Sequence, residues 1–549
     1  MSFLSKFDLV DFLSHESPRE IKRVFMLSVF SGLANMALIS LINASASDVV
    51  AHQSVALQFV LFAVLIVIFL VGTSRATKAN ILSAQKLVHK FKMRIMSQVL
   101  KSQLSQVDVI GRPEILQVLA RDAQMISQSI SLLVSASQCL ATVIFLTLYM
   151  AVISVTAFSI TAIASILFTI VGVISLRRLS EGFKAAWAKD SASNEIFSDF
   201  LSGYQEIKMD SRRARDITRE LITESRGSTK YKGELLTISA QFFNYLQVLM
   251  YIVVGLLIYV VPLISPDISA NVTQATTTAL FIAGSLSGLI QSVPGLTQSN
   301  MSARSLKDLQ QKLSEADVST DSSKKQTERF WDVKSFVLED VRYQHDQKNA
   351  TNQFALGPVS YTFEMGKVYF IRGRNGSGKT TLVRLLTGLY TPHSGRIFVN
   401  DTLIKQPASP LYRDLFSVVF SDFYLFKKSY GLSDIEDSEF TELFELFEIS
   451  DKISITDGIF SNIKLSTGQR KRLALIVALL EKKPILILDE WAADQDPQFR
   501  KEFYEVIIPR IRAMGKMVIA ITHDDHYYAS ADEVLHVVNG KLTEQAKTL

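Results

Sequence analysis

Cysteine is almost absent from this sequence of 549 residues, which contains only Cys139. A single cysteine excludes a disulfide within the chain and argues against redox chemistry as its function. Cys139 lies in an apolar stretch, where we expect it to be a small buried side chain. A large charge excess is absent too, because the formal net charge is +5, and Lys and Arg cluster in particular segments. Membrane topology explains that clustering better than nucleic-acid binding, so we expect no nucleic-acid partner.

The N-terminus has acidic residues and lacks a small-residue cleavage site ahead of a short apolar core, so a cleaved signal peptide is not expected. Long apolar runs, in contrast, are abundant: 48% of the residues are hydrophobic and the mean hydropathy is +0.22. A helix crosses a bilayer with about 20 residues. Stretches long enough to do so are 24–43, 54–74, 130–152, 154–176, 240–263 and 276–296. Six spans require a tight turn near Ile153, and the alternative is four spans with 130–176 misread.

Lys and Arg are missing from residues 43–53 and 264–275, which join the first span to the second and the fifth to the sixth. They are frequent in 78–121 and 177–219, which we therefore place in the cytoplasm with both termini. These basic connections are rich in helix formers, so the spans are expected to continue as helical stalks. Glycine-containing breaks at 105–116 and 201–209 are the candidate tips, and an ordinary helix–helix turn is the alternative for either stretch taken alone.

A change in composition divides the chain. We expect a transmembrane domain with cytoplasmic helical extensions over 1–312, a polar, serine-rich linker over 313–329, and a soluble domain over 330–549. In the last part, strand-like runs alternate with helical runs, which is typical of an α/β fold with a parallel sheet. The chain length also favours two or more domains.

The soluble domain contains, over residues 367–388, a glycine loop between a strand-like run and a helical run, "KVYFIRGRNGSGKTTLVRLLTG". Residues 373–380 match the pattern G-x-x-x-x-G-K-[ST], in which backbone N–H groups surround a phosphate. Lys379 is placed to reach the β- and γ-phosphates of a nucleotide, and the Thr380 hydroxyl is placed to hold Mg²⁺. A glycine-rich turn that happens to contain lysine is the alternative, but the flanking strand and helix favour the phosphate loop.

Three further features complete a site for phosphate chemistry. "PILILDE" is a buried strand run that ends at Asp489, a ligand for Mg²⁺ through water, and Glu490, which would orient and polarise the attacking water. Residues 465–469, "LSTGQ", open a helix whose free N–H groups form a second phosphate site. One nucleotide cannot easily use both sites of one chain, so two copies arranged head to tail are expected. "MVIAITHD" ends a strand at His523, which would contact the γ-phosphate, although a lone histidine at a strand end is usually unremarkable.

Together these residues resemble the nucleotide-binding domain of the ABC transporters, and six spans followed by one such domain resemble an exporter half-transporter. The resemblance implies a homodimer that hydrolyses ATP with Mg²⁺, in which Glu490, His523 and Lys379 are catalytic. It implies that Thr380, Asp489 and Ser421 bind the metal. The residues implied to contact ATP are Tyr343, Gly373, Asn375, Gly376, Ser377, Gly378, Lys379, Thr380, Thr381, Ser466, Gly468, Gln469 and Asp496. Tyr343 would stack on adenine, and its alternative role is an ordinary strand aromatic.

One position departs from the family pattern, because the family's usual glutamine falls at Ser421 in "SVVFSDFYLF". A hydroxyl is shorter than an amide, so direct contact with Mg²⁺ and the usual coupling role are in doubt there.

The phrases "DEWAADQDPQFRKEFY", "VVFSDFYLF" and "THDDHYYASAD" resemble the bacterial branch that exports cyclic peptides and siderophores. The branch implies an inner-membrane pump that moves a peptide-like cargo from cytoplasm to periplasm. No peptidase domain precedes the first span, so we do not expect this chain to process its cargo. An exporter or flippase of lipids or hydrophobic drugs is the alternative, while a soluble ABC ATPase is excluded by six spans. Polar span residues would line a cavity or form interhelical hydrogen bonds: Gln138, Gln241, Asn244, Gln247, Ser287 and Gln291.

Overall fold

The computed structural model describes residues 8, 9, 11, 18–50, 55–264, 272–315, 332–344 and 355–544. It contains two compact units: residues 1–100 with 110–315 form the first, and residues 101–109 with 316–549 form the second. The predicted linker over 313–329 is described only as far as Glu315, and its remainder lies outside the described residues. Parts of both connections predicted to lie outside the cell, 51–53 and 265–271, also fall outside them.

The first unit is helical. Its helices are α1 (Pro18–Val50), α2 (Ala56–Lys101), α4 (Arg112–Gln117), α5 (Ala123–Ile153), α6 (Val155–Ser202), α7 (Tyr204–Met209), α8 (Ser211–Tyr259), α9 (Val261–Ile264), α10 (Val272–Gln291) and α11 (Val293–Glu315). The short helix α3 (Leu104–Ile110) lies between α2 and α4 in the sequence and belongs to the second unit. Six segments of these helices are long and apolar enough to cross a membrane. The predicted number of spans is therefore confirmed.

The predicted turn near Ile153 is also present. Ser154 adopts an extended conformation, with φ −165° and ψ 130°, between the end of α5 and the start of α6. Its hydroxyl accepts a hydrogen bond from the backbone N–H of Ala157, which caps α6. This single residue separates two spans that read as one apolar run in the sequence.

Several helices extend far beyond a bilayer. With 46 residues in α2, 48 in α6 and 49 in α8, each is about 70 Å long, more than twice the hydrocarbon thickness. The helices are interrupted at the predicted breaks, where Gly111 with φ +87° lies between α3 and α4 and Gly203 lies between α6 and α7. Only glycine adopts such a positive φ without strain, which explains Gly111 at this turn.

The second unit contains two main sheets and a hairpin. Its strands are β1 (Ser335–Gln344), β2 (Ala355–Glu364), β3 (Val368–Arg372), β4 (Ser394–Val399), β5 (Thr402–Leu403), β6 (Phe416–Val419), β7 (Ile455–Thr456), β8 (Ile459–Phe460), β9 (Ile485–Asp489), β10 (Met517–Ile521), β11 (Glu533–Val538) and β12 (Lys541–Glu544). Its remaining helices are α12 (Lys379–Leu386), α13 (Pro410–Arg413), α14 (Asp437–Leu446), α15 (Thr467–Leu480), α16 (Pro497–Glu502) and α17 (Ile508–Ala513). The antiparallel sheet has the order β2-β1-β4-β5, and the larger sheet has the order β12-β11-β3-β10-β9-β6.

The larger sheet determines where the site lies. Strands β11, β3, β10, β9 and β6 are parallel, and every residue of β9 and β10 is buried, as expected for a sheet covered on both faces. Parallel strands end at the same edge, and ligands bind there in open α/β sheets. The glycine loop follows β3, Glu490 follows β9, His523 follows β10 and Ser421 follows β6.

Candidate nucleotide site

The loop between β3 and α12 is shaped by glycine. Gly376 and Gly378 have φ of +78° and +103°, in the region that favours glycine. A Cβ at Gly373 would lie 2.5 Å from the carbonyl oxygen of Val537 and 2.7 Å from Ser377 Oγ, so no side chain fits there. Ser377 Oγ is buried and has no hydrogen-bond partner among the described residues. The loop thus offers a buried hydroxyl and closely approaching backbone, which fit a phosphate group.

Lys379 is buried at the base of this loop, with a side chain that is 5% exposed. Its Nζ donates hydrogen bonds to the carbonyl oxygens of Gly373 at 2.9 Å and Arg374 at 3.4 Å. It also lies 3.7 Å from Oε1 of Glu490. The lysine therefore braces the loop and concentrates positive charge beside it. Thr381 follows Lys379 by two residues on α12, and Asn375 lies in the loop between β3 and α12.

Asp489 collects the hydroxyl groups predicted to bind metal. Thr380 Oγ1 donates to Asp489 Oδ2 at 3.2 Å, and Ser421 Oγ donates to the same oxygen at 3.3 Å. Asp489 Oδ1 is buried and has no hydrogen-bond partner among the described residues. Burial raises the pKa of the Asp489 carboxyl, and the charge of Glu490 raises it further, while the two hydroxyl donors act in the opposite direction. A buried carboxylate oxygen without a partner, next to two hydroxyls, fits a hard cation such as Mg²⁺.

Glu490 has a left-handed backbone, with φ +51°. Its N–H donates to the carbonyl oxygen of Ile521 at 3.1 Å, which ties it to the end of β10. Its Oε1 lies 3.4 Å from Nε2 of His523. A non-glycine residue in this conformation is strained, and such strain persists where the surroundings hold it, often at functional sites. The structure thus brings Glu490, His523 and Lys379 together.

Ser466 and Gln469 cap α15. The backbone N–H of Gln469 donates to Ser466 Oγ at 3.3 Å, and the backbone N–H of Ser466 donates to Gln469 Oε1 at 3.2 Å. This reciprocal pair is the capping box that the sequence S-x-x-Q predicts. A Cβ at Gly468 would lie 2.8 Å from the carbonyl oxygen of Asp494, so only glycine allows this approach.

Asp496 caps α16 by accepting a hydrogen bond from the N–H of Phe499 at 2.9 Å. Its Oδ2 accepts from Nη2 of the buried Arg472 at 2.8 Å. These two donors, the N–H of Phe499 first and then Arg472, lower the pKa of the Asp496 carboxyl. Arg472 also lies over the ring of Phe499, 3.4 Å from its centroid, so α15 and α16 are held together.

Tyr343 is buried at the end of β1 and stacks on Tyr390, with 4.9 Å between the ring centroids. It lines a cavity of about 500 Å³ together with His393, Gln106 and Asp108, the last two from α3. A different cavity, of about 590 Å³, borders the glycine loop. Its lining comprises Arg372, Gly373, Arg374, Asn375, His523, Asp525, Tyr528 and His536. The contact of Tyr343 with adenine stays a prediction, since Tyr343 is not among the residues lining this second cavity.

Comparison with known proteins places this site in a family. The ABC transporter family model matches residues 356–493. The energy-coupling factor transporter ATP-binding protein EcfA1 of Mycoplasmoides gallisepticum is 30% identical over 229 residues, which are 39% of this chain and 80% of that protein. The chain therefore belongs to the ABC transporter family, and it is an ATPase that couples hydrolysis to transport.

Other similarities differ in how much of the chain they cover. The ATP-binding protein SyrD of Pseudomonas syringae is 29% identical over 541 residues, 95% of this chain and 93% of that protein. The ATP-dependent lipid A-core flippase of Blochmanniella floridana is 31% identical over 210 residues, 36% of this chain and 35% of that protein. A bacterial Atm1-family ABC exporter with ATP bound has a TM-score of 0.76 at 17% identity, covering 96% of this chain and 94% of that one. The fold is thus that of an ABC exporter, with several membrane spans and one nucleotide-binding domain.

Sequence reasoning missed several residues that hold the site together. Lys471 and Arg472 follow the LSTGQ motif and are buried, although a run of three basic residues normally lies in solvent. Gln495 joins the same cluster, accepting from Arg472 Nε at 2.9 Å and donating to the carbonyl oxygen of Gly468 at 3.1 Å. The signal available in the sequence was the pair of nearby carboxylates Asp494 and Asp496, which offers partners for those cations.

Proposed function

We propose that this chain is one half of a homodimeric exporter that moves a peptide-like molecule, such as a cyclic peptide or siderophore precursor, from cytoplasm to periplasm. The observation that carries the proposal is the extent of similarity. SyrD aligns along 95% of this chain, including the membrane part that must contact cargo. The lipid A-core flippase aligns along 36%. The flippase similarity, which covers about a third of the chain, indicates a shared ATPase domain and gives little information about cargo.

The membrane unit offers groups suited to a peptide. Gln241, Asn244 and Gln247 are exposed on successive turns of α8, within or at the edge of a span. Gln247 Nε2 bonds Tyr251 OH of the same helix at 3.0 Å, and Gln291 is exposed near the end of α10. Because amide side chains that face lipid are energetically unfavourable, we infer that this side of α8 faces a water-filled path. Carboxamides pair with peptide N–H and C=O groups, which favours a peptide-like cargo over an acyl chain.

ATP and Mg²⁺ would bind at the edge of the larger sheet. The loop Gly373, Asn375, Gly376, Ser377 and Gly378, with Lys379, Thr380 and Thr381, would hold the phosphates. Thr380, Asp489 and Ser421 would hold the metal, which neutralises phosphate charge when bound. Tyr343 would contact the base.

Three residues would serve the hydrolytic step. Glu490 orients the attacking water and takes up proton density from it, and His523, 3.4 Å from the Glu490 carboxylate, contacts the γ-phosphate. Lys379 supplies positive charge to the β- and γ-phosphates. Their proximity in the structure supports this division of roles.

The site of one chain would be completed by a second copy. Residues 465–469 are not among those lining the cavity beside the glycine loop, within the described part of the chain. Ser466, Gly468, Gln469 and Asp496 would therefore contact the nucleotide held by the partner. The proposed domains are 1–312 for the membrane part and 330–549 for ATP binding, with α3 packed on the latter. The protein would lie in the bacterial inner membrane. The Lys- and Arg-rich helical extensions favour a cytoplasmic location for its ATP-binding domain.

Cargo accumulation tests the proposal. The gene is deleted, and the deletion strain is complemented with wild type or with Glu490→Gln. Extracts of cytoplasm and periplasm are compared by mass spectrometry. We expect a peptide or siderophore precursor to accumulate in the cytoplasm of the deletion and Glu490→Gln strains only. A change confined to lipids would favour the flippase alternative and overturn the peptide proposal.

A second test separates cargo from ATPase. The triple variant Gln241→Leu, Asn244→Leu and Gln247→Leu should lose export while ATP hydrolysis in detergent remains within about threefold of wild type. Undiminished export by this variant would remove α8 from the proposed path. The dimer is tested by native mass spectrometry in nanodiscs, where a fully active monomer would contradict it.

A further inference from the structure

The backbone around Glu490 is held from the helix that carries the LSTGQ motif. Lys471 lies on α15, two residues after Gln469, and its side chain is 4% exposed. Its Nζ donates to the carbonyl oxygen of Glu490 at 2.6 Å. The same Nζ lies 2.7 Å from Oδ2 of Asp494. A buried ammonium with these partners makes short, charge-assisted hydrogen bonds, which are stronger than neutral ones.

A second bond runs in the opposite direction between the same two segments. Trp491 Nε1 donates to the carbonyl oxygen of Lys471 at 2.7 Å, and Trp491 is 1% exposed. The side chain of Lys471 thus binds the backbone at 490, while the side chain of 491 binds the backbone of Lys471. These two bonds connect α15 to the end of β9 at two points, so a displacement of one segment relative to the other strains both of them.

Glu490 needs such support because of its conformation. Its φ of +51° is unfavourable for a residue with a Cβ. The N–H of Glu490 is held by the carbonyl oxygen of Ile521 at 3.1 Å, and Lys471 holds the carbonyl of Glu490. Both peptide groups that flank the Glu490 Cα are therefore fixed, and together they set the direction in which the carboxylate projects.

We infer that Lys471 is a positioning residue for ATP hydrolysis, which holds the peptide group of Glu490 so that its carboxylate stays beside His523 and Lys379. The inference rests on the proposed role of Glu490. The polar partners of the Lys471 side chain among the described residues are the Glu490 carbonyl oxygen and the Asp494 carboxylate, so Lys471 would act through the backbone of Glu490. Its loss should displace the carboxylate and leave the phosphate-binding loop intact.

The central variant is Lys471→Met, which keeps an unbranched apolar stem and removes the donors. We expect kcat for ATP hydrolysis to fall by at least about tenfold, while KM for ATP changes by less than about threefold. Lys471→Gln retains an N–H donor for the Glu490 carbonyl and should recover part of that loss. Asp494→Asn leaves the lysine-to-carbonyl bond in place and should cost less than about threefold in kcat.

The matched control is Lys501→Met on α16, whose side chain is 65% exposed. It should leave both constants within about twofold of wild type. A purely structural role for Lys471 would lower melting temperature and the active fraction, without a selective loss of kcat in the folded protein. Melting temperature and ATP binding are therefore measured for every variant.

The outcomes separate this inference from the proposed function. If Glu490→Gln hydrolyses ATP at a near wild-type rate, the role of Glu490 itself is wrong. If Glu490→Gln is inactive but Lys471→Met keeps wild-type kcat, only the positioning role is wrong. A higher KM with unchanged kcat would instead place Lys471 in nucleotide binding. Should Lys471→Met not fold, Lys471→Leu, which also lacks a donor for the Glu490 carbonyl, is judged in its place, and unchanged kcat in that variant overturns the inference.

Discussion

Two buried aspartates, one in each unit of the molecule, have similar immediate partners. Asp489 accepts a hydrogen bond from Ser421 Oγ at 3.3 Å, and Asp122 accepts one from Ser302 Oγ at 3.0 Å. Asp489 is 1% exposed and Asp122 is 0% exposed. Each has one carboxylate oxygen without a hydrogen-bond partner among the described residues. A search for buried acids alone would rank them equally.

Their wider surroundings differ. Asp489 ends a parallel strand beside a glycine loop, next to Thr380 and Glu490. Asp122 ends a π-helical turn (Val118–Asp122) that leads into α5, and Arg121 Nε lies 3.8 Å from its Oδ1. The first setting includes the buried hydroxyl of Ser377, which has no hydrogen-bond partner among the described residues, whereas the second packs helix against helix. A buried carboxylate therefore indicates a ligand site only when open donors and backbone surround it, and the following substitutions test that distinction.

Lys379→Ala should have the largest effect on ATP hydrolysis. The substitution removes the ammonium beside the phosphates and also the donor to the Gly373 carbonyl oxygen at 2.9 Å. We expect a loss of at least about a thousandfold in kcat/KM, or about 4 kcal/mol of transition-state stabilisation. The measurement is steady-state ATPase activity of protein purified in nanodiscs. Activity within tenfold of wild type would show that this loop is not the catalytic phosphate site.

Glu490→Gln should come next, with a loss of about a hundredfold or more in kcat. The amide keeps the size of the carboxylate but cannot take up proton density from water, so ATP still binds and the nucleotide-bound dimer accumulates. Trapping of labelled ATP after gel filtration measures this, and Glu505→Gln, at a site that is 51% exposed, is the control. Near wild-type turnover would shift the role of base to Asp489 or His523.

These residues were predictable because local pattern determines their environment. Asp489 and Glu490 end an apolar run, and a parallel sheet brings that strand end to the glycine loop and Lys379. The spans were predictable for a similar reason, since apolar length alone defines them. Even the turn at Ser154 follows from the limit that bilayer thickness places on a helix.

Residues whose environment comes from distant packing were not predictable. Asp122 accepts a hydrogen bond from Ser302, which is 180 positions away in the chain, and no local motif marks either of them. The sequence alone predicts that Lys471 is a solvent-exposed cation. In the folded protein, Asp494 and the Glu490 carbonyl oxygen lie next to its Nζ. Contact with adenine was predicted for Tyr343 from its position in the family pattern. That pattern does not indicate that Tyr390 stacks on Tyr343.

Ser421→Ala should have a modest effect. A serine hydroxyl extends one carbon from the backbone, so a water molecule should bridge it to the metal and can remain when it is removed. We expect at most about a tenfold loss of ATPase activity, or about 1.4 kcal/mol of barrier. Ser433→Ala, at an exposed site, is the control. A loss as large as that of Lys379→Ala, with ATP binding intact, would assign Ser421 a direct catalytic or coupling role.

Ser302→Ala should have the smallest effect on ATP hydrolysis, although it removes the same kind of hydrogen bond. Ser302 is 0% exposed and holds Asp122 across from α11 to the start of α5. Loss of one partner of a buried polar pair costs about 1–3 kcal/mol of stability. We therefore expect a lower melting temperature and, in the folded protein, ATPase activity within about twofold of wild type.

The control for Ser302→Ala is Ser314→Ala on the same helix, where the hydroxyl is exposed and bonds only the Gln311 carbonyl among the described residues. It should leave the melting temperature unchanged. If Ser302→Ala instead abolished hydrolysis at an unchanged melting temperature, Asp122 would take part in coupling transport to ATP. In that case both Asp489 and Asp122 would have functional roles. Packing of helix against helix would then not be enough to identify a buried carboxylate as purely structural.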